Sequence, residues 1–331
     1  MNCFRSSILP WALALFTSAG LLAQDDLPLP RGAKPKNAGV TGAGEGPAWD
    51  RKENLYFTGG NRITRLDPQG RTHAFRDPSG GANGLLFDYQ GRLVACEAGN
   101  RRVTRTEPDG TITVLADHDG GKRLNSPNDL TIDSKGRIYF TDPRYGRRDT
   151  MEIRDEDGKL VEGVYRIDAP GKVTRIITHE VDRPNGILVS PQDRYLYVAD
   201  NNNNAVGAAR KLWRFDLKPD GSIDPKSRKL IFDWETGRGP DGLKMDRQGR
   251  LYVAGGLNVA NLPYETADKF KGGVYILSPE GKLLDFVAIP KDEVTNCAFG
   301  GQDLKTLYIT AGGTLWSIPV NAPGWMPSRS D

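Results

Sequence analysis

Six short segments of similar sequence each begin with a residue whose side chain carries an oxygen atom. They are EGPAWD, NGLLFD, NDLTID, NGILVS, DGLKMD and NCAFGG, and their first residues are Glu45, Asn83, Asn128, Asn185, Asp241 and Asn296. Carboxylate and amide oxygens are the ligands that Ca²⁺ prefers, whereas zinc and copper sites usually include His or Cys. The two acids, Glu45 and Asp241, balance the charge of one divalent cation. The pattern therefore predicts a Ca²⁺ site, with Mg²⁺, Mn²⁺ or Zn²⁺ as substitutes.

Turn formation is the alternative explanation for these residues. Asn and Asp before Gly or Pro are common in turns, because their side chains hydrogen-bond to the nearby backbone. A single such position would be explained by turn chemistry. Six positions in one register, with a glutamate at one of them, are harder to explain in that way, so metal binding is the favoured hypothesis.

The chain between these segments repeats as well. Each segment leads into a turn and a run of β-forming residues, such as DSKGRIYFTD from Asp133, and two more strands follow, as in GVYRIDAPGKVTRII. The six copies start 38 to 57 residues apart, which fits four strands each. This predicts an all-β six-bladed β-propeller with four-stranded antiparallel blades; a two-sheet sandwich or an irregular barrel would not produce six copies in register. Because the first strand of each blade lines the channel of a propeller, the six oxygen-bearing residues should form a ring there.

Acidic residues that end the second strand of three blades should lie near this ring. They are Glu97, Asp142 and Asp200, and they are candidates for proton transfer, with turn capping as the alternative. Insertions at residues 145–163, 201–211 and 257–273 also follow second strands and should surround the same face. His118 lies on the approach to that face, whereas the patterns around His73 and His179 fit outer strands.

Composition excludes several classes of protein. The 331 residues are 37% hydrophobic and carry a net charge of +3, which excludes a disordered chain and gives no indication of a nucleic-acid partner. Three cysteines are too few for a disulfide scaffold, and Cys96 and Cys297 should be separate thiols because they fall in non-adjacent blades. The chain has no G-x-S-x-G, H-E-x-x-H or Gly-rich phosphate-binding motif.

The first residues have the features of a secretory signal peptide. Residues 1–23 contain Arg5, an apolar stretch and small residues near Ala23. A transmembrane anchor is the alternative, but Pro10 and Gly20 interrupt an apolar run that is short for a membrane span. We therefore predict export to the periplasm or the medium, and no membrane association after cleavage. The predicted organisation is a linker or ring-closing segment at 24–40, the propeller at 41–320 and a C-terminal tail at 321–331, in a monomer or weak homo-oligomer.

Five stretches form a specific set of motifs within residues 40–320. They are EGPAW at 45–49, SGGANGLLFDYQGRLVACEAGNRRVTR at 79–105, RLNSPNDLTIDSKGRIYFTDPRYG at 123–146, RPNGILVSPQDRYLYVAD at 183–200 and PDGLKMD at 240–246. The set resembles the family of gluconolactonase, regucalcin (senescence marker protein) and luciferin-regenerating enzyme, and the bacterial gluconolactonase branch most of all. The resemblance implies a six-bladed propeller with a divalent cation, usually calcium, in its central channel.

The resemblance also implies roles for individual residues. The metal ligands would be four of the six ring positions, namely Glu45, Asn128, Asn185 and Asp241. The candidate substrate contacts are Arg123, Asn128, Asp142 and Tyr145. The regucalcin branch has an arginine two residues before the ligand asparagine, where this chain has Ser126. The substrate contacts of that branch therefore do not transfer directly.

The predicted reaction is the hydrolysis of a sugar lactone to the aldonic acid. The cation would polarise the lactone carbonyl, and a water activated by Asp241, or by Asp200, would attack it. The expected partner is a small-molecule lactone. A calcium-dependent phosphotriesterase or another esterase is the first alternative, and a non-enzymatic binding propeller with structural calcium is the second. Four converging oxygen ligands favour an enzyme, because a pure interaction propeller has no need of them.

Overall fold

Six four-stranded antiparallel sheets form the protein in a computed structural model that describes residues 27–329. The first strands of neighbouring sheets contact each other around a closed ring, so each sheet is one blade of a propeller. The prediction of an all-β, six-bladed β-propeller is confirmed. The predicted signal peptide at residues 1–23 lies outside the described residues.

The blades follow one another along the chain, and the strands within each blade are paired in chain order. Strand β1 (Lys36–Thr41) precedes blade 1, which contains β2 (Glu45–Trp49), β3 (Leu55–Gly59), β4 (Arg62–Leu66) and β5 (Thr72–Arg76). Blade 2 contains β6 (Ala82–Phe87), β7 (Leu93–Glu97), β8 (Arg102–Thr106) and β9 (Ile112–Ala116). A small hairpin of β10 (His118–Asp119) and β11 (Lys122–Arg123) leads to blade 3, with β12 (Leu130–Ile132), β13 (Ile138–Asp142), β14 (Gly163–Ala169) and β15 (Lys172–Ile177).

The second half of the chain repeats this arrangement. Blade 4 contains β16 (Pro184–Val189), β17 (Tyr195–Asn201), β18 (Arg210–Leu217) and β19 (Ile223–Asp233), with a 3-10 turn at Pro191–Asp193. Blade 5 contains β20 (Pro240–Met245), β21 (Leu251–Gly255), β22 (Gly273–Leu277) and β23 (Leu283–Ala288). Blade 6 contains β24 (Val294–Gly300), β25 (Thr306–Ala311) and β26 (Thr314–Pro319), and β1 pairs with β26 as its outermost strand. The N-terminal strand thus completes the last blade and ties the two ends of the ring together.

An Asp–Arg pair explains why the hairpin between the first two strands recurs in the sequence. In blade 5, Asp246 Oδ1 accepts hydrogen bonds from the backbone N–H groups of Gln248 (2.9 Å) and Arg250 (3.0 Å), and Asp246 Oδ2 accepts one from Arg250 Nε (2.6 Å). Asp88 in blade 2 and Asp133 in blade 3 make the same set of bonds at their turns. The repeated D-x-x-G-R sequence is therefore a device that fixes the turn and with it the register of the two inner strands.

The apolar core is divided among the interfaces between blades. Residues 27–329 contain six buried apolar clusters, and each joins two neighbouring blades around the ring. Cys96 and Cys297 are buried as separate free thiols in two different clusters, as predicted. Because every blade packs on both faces, each first strand is held in position relative to its two neighbours.

The C-terminal residues cross one end of the propeller. Trp325 N donates a hydrogen bond to the Met245 carbonyl (2.8 Å), and Arg51 Nη2 donates one to the Pro327 carbonyl (2.6 Å), so this segment bridges blades 5 and 1. Residues 321–329, which the sequence analysis set apart as a tail, thus lie against the propeller. Among residues 27–329, no helix has the length and apolar character needed to cross a membrane.

Candidate metal and active site in the channel

The six oxygen-bearing residues meet at one level of the channel. In four blades the next residue is a glycine, and a Cβ on Gly46 would lie 2.0 Å from the Asn83 carbonyl, while one on Gly242 would lie 1.9 Å from Asn296 Cγ. Gly84 and Gly186 approach Asn128 and Asp241 in the same way. Asn296 Nδ2 donates to Glu45 Oε2 at 3.2 Å and joins blade 6 to blade 1. The ring that the repeat register predicts is therefore closely packed, because glycine lets neighbouring backbones touch.

An irregularity in strand pairing coincides with the ring. The register between the first and second strands shifts next to the ring position in all blades except blade 3, where β12 begins only after Asn128. Such bulges change the direction of a side chain without breaking the sheet. The shift lets the ring side chains leave the plane of the blade and turn toward the channel.

Two ring oxygens have no hydrogen-bond partner among the described residues. Asn185 Oδ1 and Asp241 Oδ1 are both buried from solvent and unpaired. A buried acceptor that lacks a partner costs roughly 1–3 kcal/mol, so it is usually paired with a water or an ion. The amide oxygens of Asn125, Asn201 and Asn203 also lack a partner, but they are not ring positions. The two ring oxygens, on adjacent blades, fit a cation that prefers hard oxygen donors.

The side chains of two other ring asparagines, Asn296 and Asn83, are already used in hydrogen bonds. Asn296 uses Oδ1 to accept a hydrogen bond from Cys297 N (2.9 Å), and its amide nitrogen faces Glu45. Asn83 donates from Nδ2 to the Asn128 carbonyl at 3.3 Å. Asn296 is therefore placed to orient Glu45, not to offer an oxygen to a cation. This gives a physical reason why only part of the ring can bind a metal, which spacing alone could not decide.

Burial and nearby negative charge raise the pKa values of the two ring acids. Burial, and next the charge of Asp129, raise the pKa of Glu45 to about 7. Burial and then the Glu45 carboxylate raise the pKa of Asp241 well above its usual value, against a smaller opposing effect of Arg238. Among residues 27–329 there is no cluster of three or more His, Cys, Asp or Glu arranged to hold a metal. A cation at the ring would therefore use amide oxygens as well as these two acids.

Tyr145, a predicted substrate contact, lies beside the ring and holds one of its members. Its hydroxyl accepts a hydrogen bond from Asn185 Nδ2 (2.9 Å) and donates one to the Asn201 carbonyl (3.0 Å). The Arg183 guanidinium carbon lies 5.4 Å from the centre of the Tyr145 ring, and Arg183 is paired with Glu162 at 2.9 Å. Tyr145 thereby fixes the Asn185 amide with its nitrogen engaged and its oxygen unpaired.

Asp142 and Asp200 occupy equivalent places and hold the loops that enter the ring. Asp142 accepts hydrogen bonds from the backbone N–H groups of Asn125 and Ser126, both at 2.7 Å. Asp200 accepts them from Asp182 N (3.1 Å) and Arg183 N (2.9 Å), and a third from Trp213 Nε1 (3.0 Å).

Both carboxylates are buried, and both oxygens of each are engaged. Burial raises the pKa of Asp142 to about 7 and also raises that of Asp200, although the N–H donors oppose it. These acids fix the backbone segments that lead into Asn128 and Asn185. The contact with substrate expected for Asp142 and the water activation expected for Asp200 both stay predictions.

Arg123 lies apart from the ring. It is exposed on the small hairpin β10–β11, where its Nη2 donates a hydrogen bond to the Asn100 carbonyl at 3.2 Å. His118, on the same hairpin, is paired with its neighbour Asp117 at 2.8 Å. Both residues lie on the route between the second and third blades, so a contact between Arg123 and a substrate remains a prediction.

Two charged residues in the channel were missed by the sequence analysis. Asp129, directly after Asn128, is 2% exposed and occupies the position that is glycine in four other blades. Lys244, three residues after Asp241, lines a cavity of about 110 Å³ that continues the channel beyond the ring. The signal was present in the repeat register, since Lys244 is the one charged residue at its position among the six copies.

The fold and the ring define a propeller with an oxygen-donor site in its channel. Residues 43–313 match the model of the SMP-30/Gluconolactonase/LRE-like region, and the chain belongs to this family. The resemblance inferred from the motifs is confirmed.

Two curated relatives cover most of the chain. It is 31% identical over 307 residues to a gluconolactonase from Zymomonas mobilis, which covers 85% of this chain and 79% of that protein. It is 29% identical to a 6-deoxy-6-sulfogluconolactonase from Pseudomonas putida, over 85% of this chain and 92% of the relative.

Solved structures agree with the fold. A gluconolactonase from Xanthomonas campestris superposes with a TM-score of 0.69 at 29% identity, over 87% of this chain and 90% of that one. A calcium-binding regucalcin from Agrobacterium tumefaciens superposes with a TM-score of 0.68 at 18% identity, over 89% of this chain and 96% of the other. At that lower identity the second comparison supports the architecture alone.

Proposed function

We propose that this protein hydrolyses a sugar lactone to the corresponding aldonic acid and that a divalent cation, Ca²⁺ in the first place, is held in the ring by Glu45, Asn128, Asn185 and Asp241. The relatives named as gluconolactonases support the reaction class. The observation that carries the metal site is the pair of buried, unpartnered oxygens on Asn185 and Asp241.

The charge of the ring supports a cation over a neutral ligand. Glu45 raises the pKa of Asp241 across a buried site, Asp129 raises that of Glu45, and no described residue forms a salt bridge with either ring acid. A bound divalent cation relieves this repulsion and favours the ionised form of both acids. It would also supply Lewis-acid polarisation of a lactone carbonyl and stabilise the negative charge that develops on its oxygen.

Asp241 is the residue best suited to move a proton. With Oδ1 directed to the cation, the second oxygen of the same carboxylate can accept a proton from a water molecule as the water oxygen attacks the carbonyl carbon. The bond between that carbon and the ring oxygen then breaks, and the proton held by Asp241 passes to the departing oxygen. The products are a carboxylic acid and a hydroxyl group on one open chain.

Tyr145 and Asn296 position the reacting groups. Tyr145 orients Asn185 through its hydroxyl, and Asn296 orients Glu45 through its amide nitrogen. Asp142 and Asp200 keep the entering loops in place through backbone hydrogen bonds. Side chains fixed in this way need little reorganisation when substrate binds, which is how a preorganised site lowers a barrier.

Acid release tests the proposal directly. Purified protein is incubated with glucono-1,5-lactone in a pH-stat, first after EDTA treatment and then with Ca²⁺ restored. We expect Ca²⁺-dependent acid release above the spontaneous rate, and its loss in Asp241→Asn but not in the exposed control Asp303→Asn. Acid release that persists fully in metal-stripped protein would contradict the role of the cation. Tight Ca²⁺ binding without acid release would instead favour a phosphotriester, another ester, or a binding role.

We also propose that the protein is exported, on the basis of residues 1–23. Expression of the full chain in a Gram-negative host, followed by N-terminal sequencing of the protein released from the periplasm, checks this. Cleavage near Ala23 is the expected result, and an intact N-terminus in the cytoplasmic fraction would contradict it.

A further inference from the structure

A second ring of side chains lies beyond the oxygen-bearing ring, three residues further along each first strand. Its members are Ala48, Leu86, Thr131, Leu188, Lys244 and Phe299, and all six line the same cavity of about 110 Å³. Five of them are uncharged, and the cavity is closed on the far side by Trp325, Met326 and Pro327 of the C-terminal segment. One ammonium group is thus built into a largely apolar cavity behind the ring. Arg51, the other cation that lines the cavity, is exposed and donates to the Pro327 carbonyl at the C-terminal segment.

Lys244 has no carboxylate bound to it that would explain its place there. It is half-buried, and its Nζ donates a hydrogen bond to the Leu243 carbonyl at 3.1 Å. It belongs to none of the salt bridges found among residues 27–329. Withdrawing an ammonium from water is costly unless negative charge lies nearby, so the acids of the channel are its counterpart.

Asp129 is a third acid at the level of the ring, and it contacts the ring residue Asn296. Its Oδ1 accepts a hydrogen bond from Leu130 N (2.9 Å), and its Oδ2 lies 3.4 Å from Asn296 Nδ2. Since blades 3 and 6 face each other across the channel, this contact spans the axis. The same Asn296 amide also donates to Glu45 at 3.2 Å, so one amide nitrogen bridges the two carboxylates.

Electrostatic effects agree with this arrangement. Burial raises the pKa of Asp129, and Lys244 is the largest influence that opposes the rise. Lys244 also opposes the rise at Glu45. The positive charge of Lys244 therefore opposes the negative charge of both Asp129 and Glu45.

We propose that Lys244 and Asp129 form a charge-balancing pair next to the ring, which sets the cation affinity and charge preference of the site without either residue binding the cation. Arg238 also acts on Asp241, but Glu265 balances its charge. The three channel acids Glu45, Asp129 and Asp241 together with the Lys244 ammonium then leave a net charge of about −2, which one divalent cation neutralises. Without Lys244 the channel would favour a more highly charged ion. This inference rests on the proposed cation site at the ring.

The test is calorimetric titration of Ca²⁺ and of Tb³⁺ into EDTA-treated, dialysed full-length protein. Lys244→Met should bind Ca²⁺ on the order of tenfold more tightly, and should shift the preference further toward Tb³⁺, because a nearby positive charge is lost. Asp129→Asn should bind Ca²⁺ on the order of tenfold more weakly. The double variant should return to within about threefold of the wild type, since the two changes offset each other.

Controls separate the effect of this pair from general effects of charge. Lys282→Met removes an exposed lysine of the same blade and should leave both affinities unchanged. Lys244→Gln provides a second neutral variant if Lys244→Met does not fold, and it should also bind Ca²⁺ more tightly. Wild-type Ca²⁺ binding together with unchanged affinity in both neutral Lys244 variants would overturn this inference and leave the cation site intact. Absence of Ca²⁺ binding by the wild type would overturn both.

Discussion

Two aspartates, Asp241 near the start of β20 and Asp246 directly after its end, have opposite hydrogen-bonding states. Asp246 has both oxygens engaged, by the backbone N–H groups of Gln248 and Arg250 and by Arg250 Nε at 2.6 Å. Asp241 has an oxygen that is buried and unpartnered, and its pKa is raised by burial and by Glu45. The two residues have similar surroundings in the sequence, since each precedes a turn or a glycine.

The difference separates the part of the blade that builds the fold from the part that serves the site. A buried acid with all its hydrogen bonds made stabilises its turn, and the same device recurs at Asp88 and Asp133. A buried acid without a hydrogen-bond partner destabilises the folded chain. A ligand that supplies the partner recovers this free energy on binding. The propeller repeats the first arrangement around its turns and reserves the second for the channel.

Of the substitutions considered, the one at Asp241 should reduce catalysis most. Asp241→Asn should reduce lactone hydrolysis by roughly a thousandfold or more, because both the proton acceptor and a cation ligand are lost. The melting temperature of the metal-free protein should rise at the same time, because the repulsion with Glu45 is removed. Initial rates and thermal melts of the EDTA-treated protein measure the two effects. A variant with normal turnover, or one whose metal-free form melts lower than the wild type, would contradict the assignment.

The matching change at the other end of the strand should act on stability. Asp246→Asn leaves the buried guanidinium of Arg250 without its charged partner, and we expect a loss of about 3 kcal/mol in the free energy of unfolding. Ca²⁺ affinity and turnover of the folded fraction should stay close to those of the wild type. Urea denaturation and calorimetry check both expectations. Unchanged stability with impaired turnover would reverse the roles given to the two aspartates.

The raised pKa of Glu45 predicts how stability depends on pH. Burial and Asp129 raise this pKa from 4.5 to about 7 in the folded protein. The folded state then binds the proton more tightly than the unfolded state, so the free energy of unfolding falls as the pH rises from about 4.5 to about 7. The loss from Glu45 alone is roughly 3 kcal/mol in the metal-free protein.

Two comparisons check the origin of this loss. Saturating Ca²⁺ should abolish much of it, because a cation stabilises the ionised acid. Glu45→Gln should remove only part of it, because the pKa of Asp142 is also raised to about 7 by burial. Denaturant titrations of metal-free protein across this range provide the measurement. An increase in stability with pH between 4.5 and 7 would have the wrong sign for this account.

Substitution of Tyr145, which orients Asn185, should change Ca²⁺ affinity only slightly. Tyr145→Phe removes the hydroxyl that accepts the Asn185 Nδ2 hydrogen bond. A loss of about 1 kcal/mol corresponds to Ca²⁺ affinity weaker by roughly fivefold. Calorimetric titration measures it, with Tyr264→Phe on an exposed loop as the matched control. Equal affinities in the two variants would show that Asn185 needs no help from Tyr145.

The fold and the membership of the ring could be predicted because both follow from repetition. The Asp–Arg turn recurs with the same spacing, and in four of the six blades the residue that enters the channel precedes a glycine that lets neighbouring blades touch. The roles of individual ring members depend on contacts between distant blades. Asn296 is shown to be a donor to Glu45 only once blade 6 closes against blade 1.

The same limit explains the contacts that could not be foreseen and the residues that were missed. For Asp142 and Asp200 the sequence left proton transfer and turn capping open, and only the folded chain shows which backbone N–H groups engage their oxygens. Lys244 stands out in the repeat register as a charged residue. Its electrostatic effect on Asp129, which lies in a blade distant in sequence, becomes visible only in the folded chain. Spacing identifies which residues face the channel, and hydrogen bonding decides what each one does there.

The most direct test of the central claim, that the unpartnered oxygens of the ring are cation ligands, is a crystal structure of the protein soaked with Mn²⁺ and measured at the manganese absorption edge. We predict an anomalous peak in the channel within bonding distance of Asn185 Oδ1 and Asp241 Oδ1, with Glu45 and Asn128 completing the protein ligands. A channel without such a peak, or a peak held by other residues with these two oxygens still unpaired, would contradict the claim.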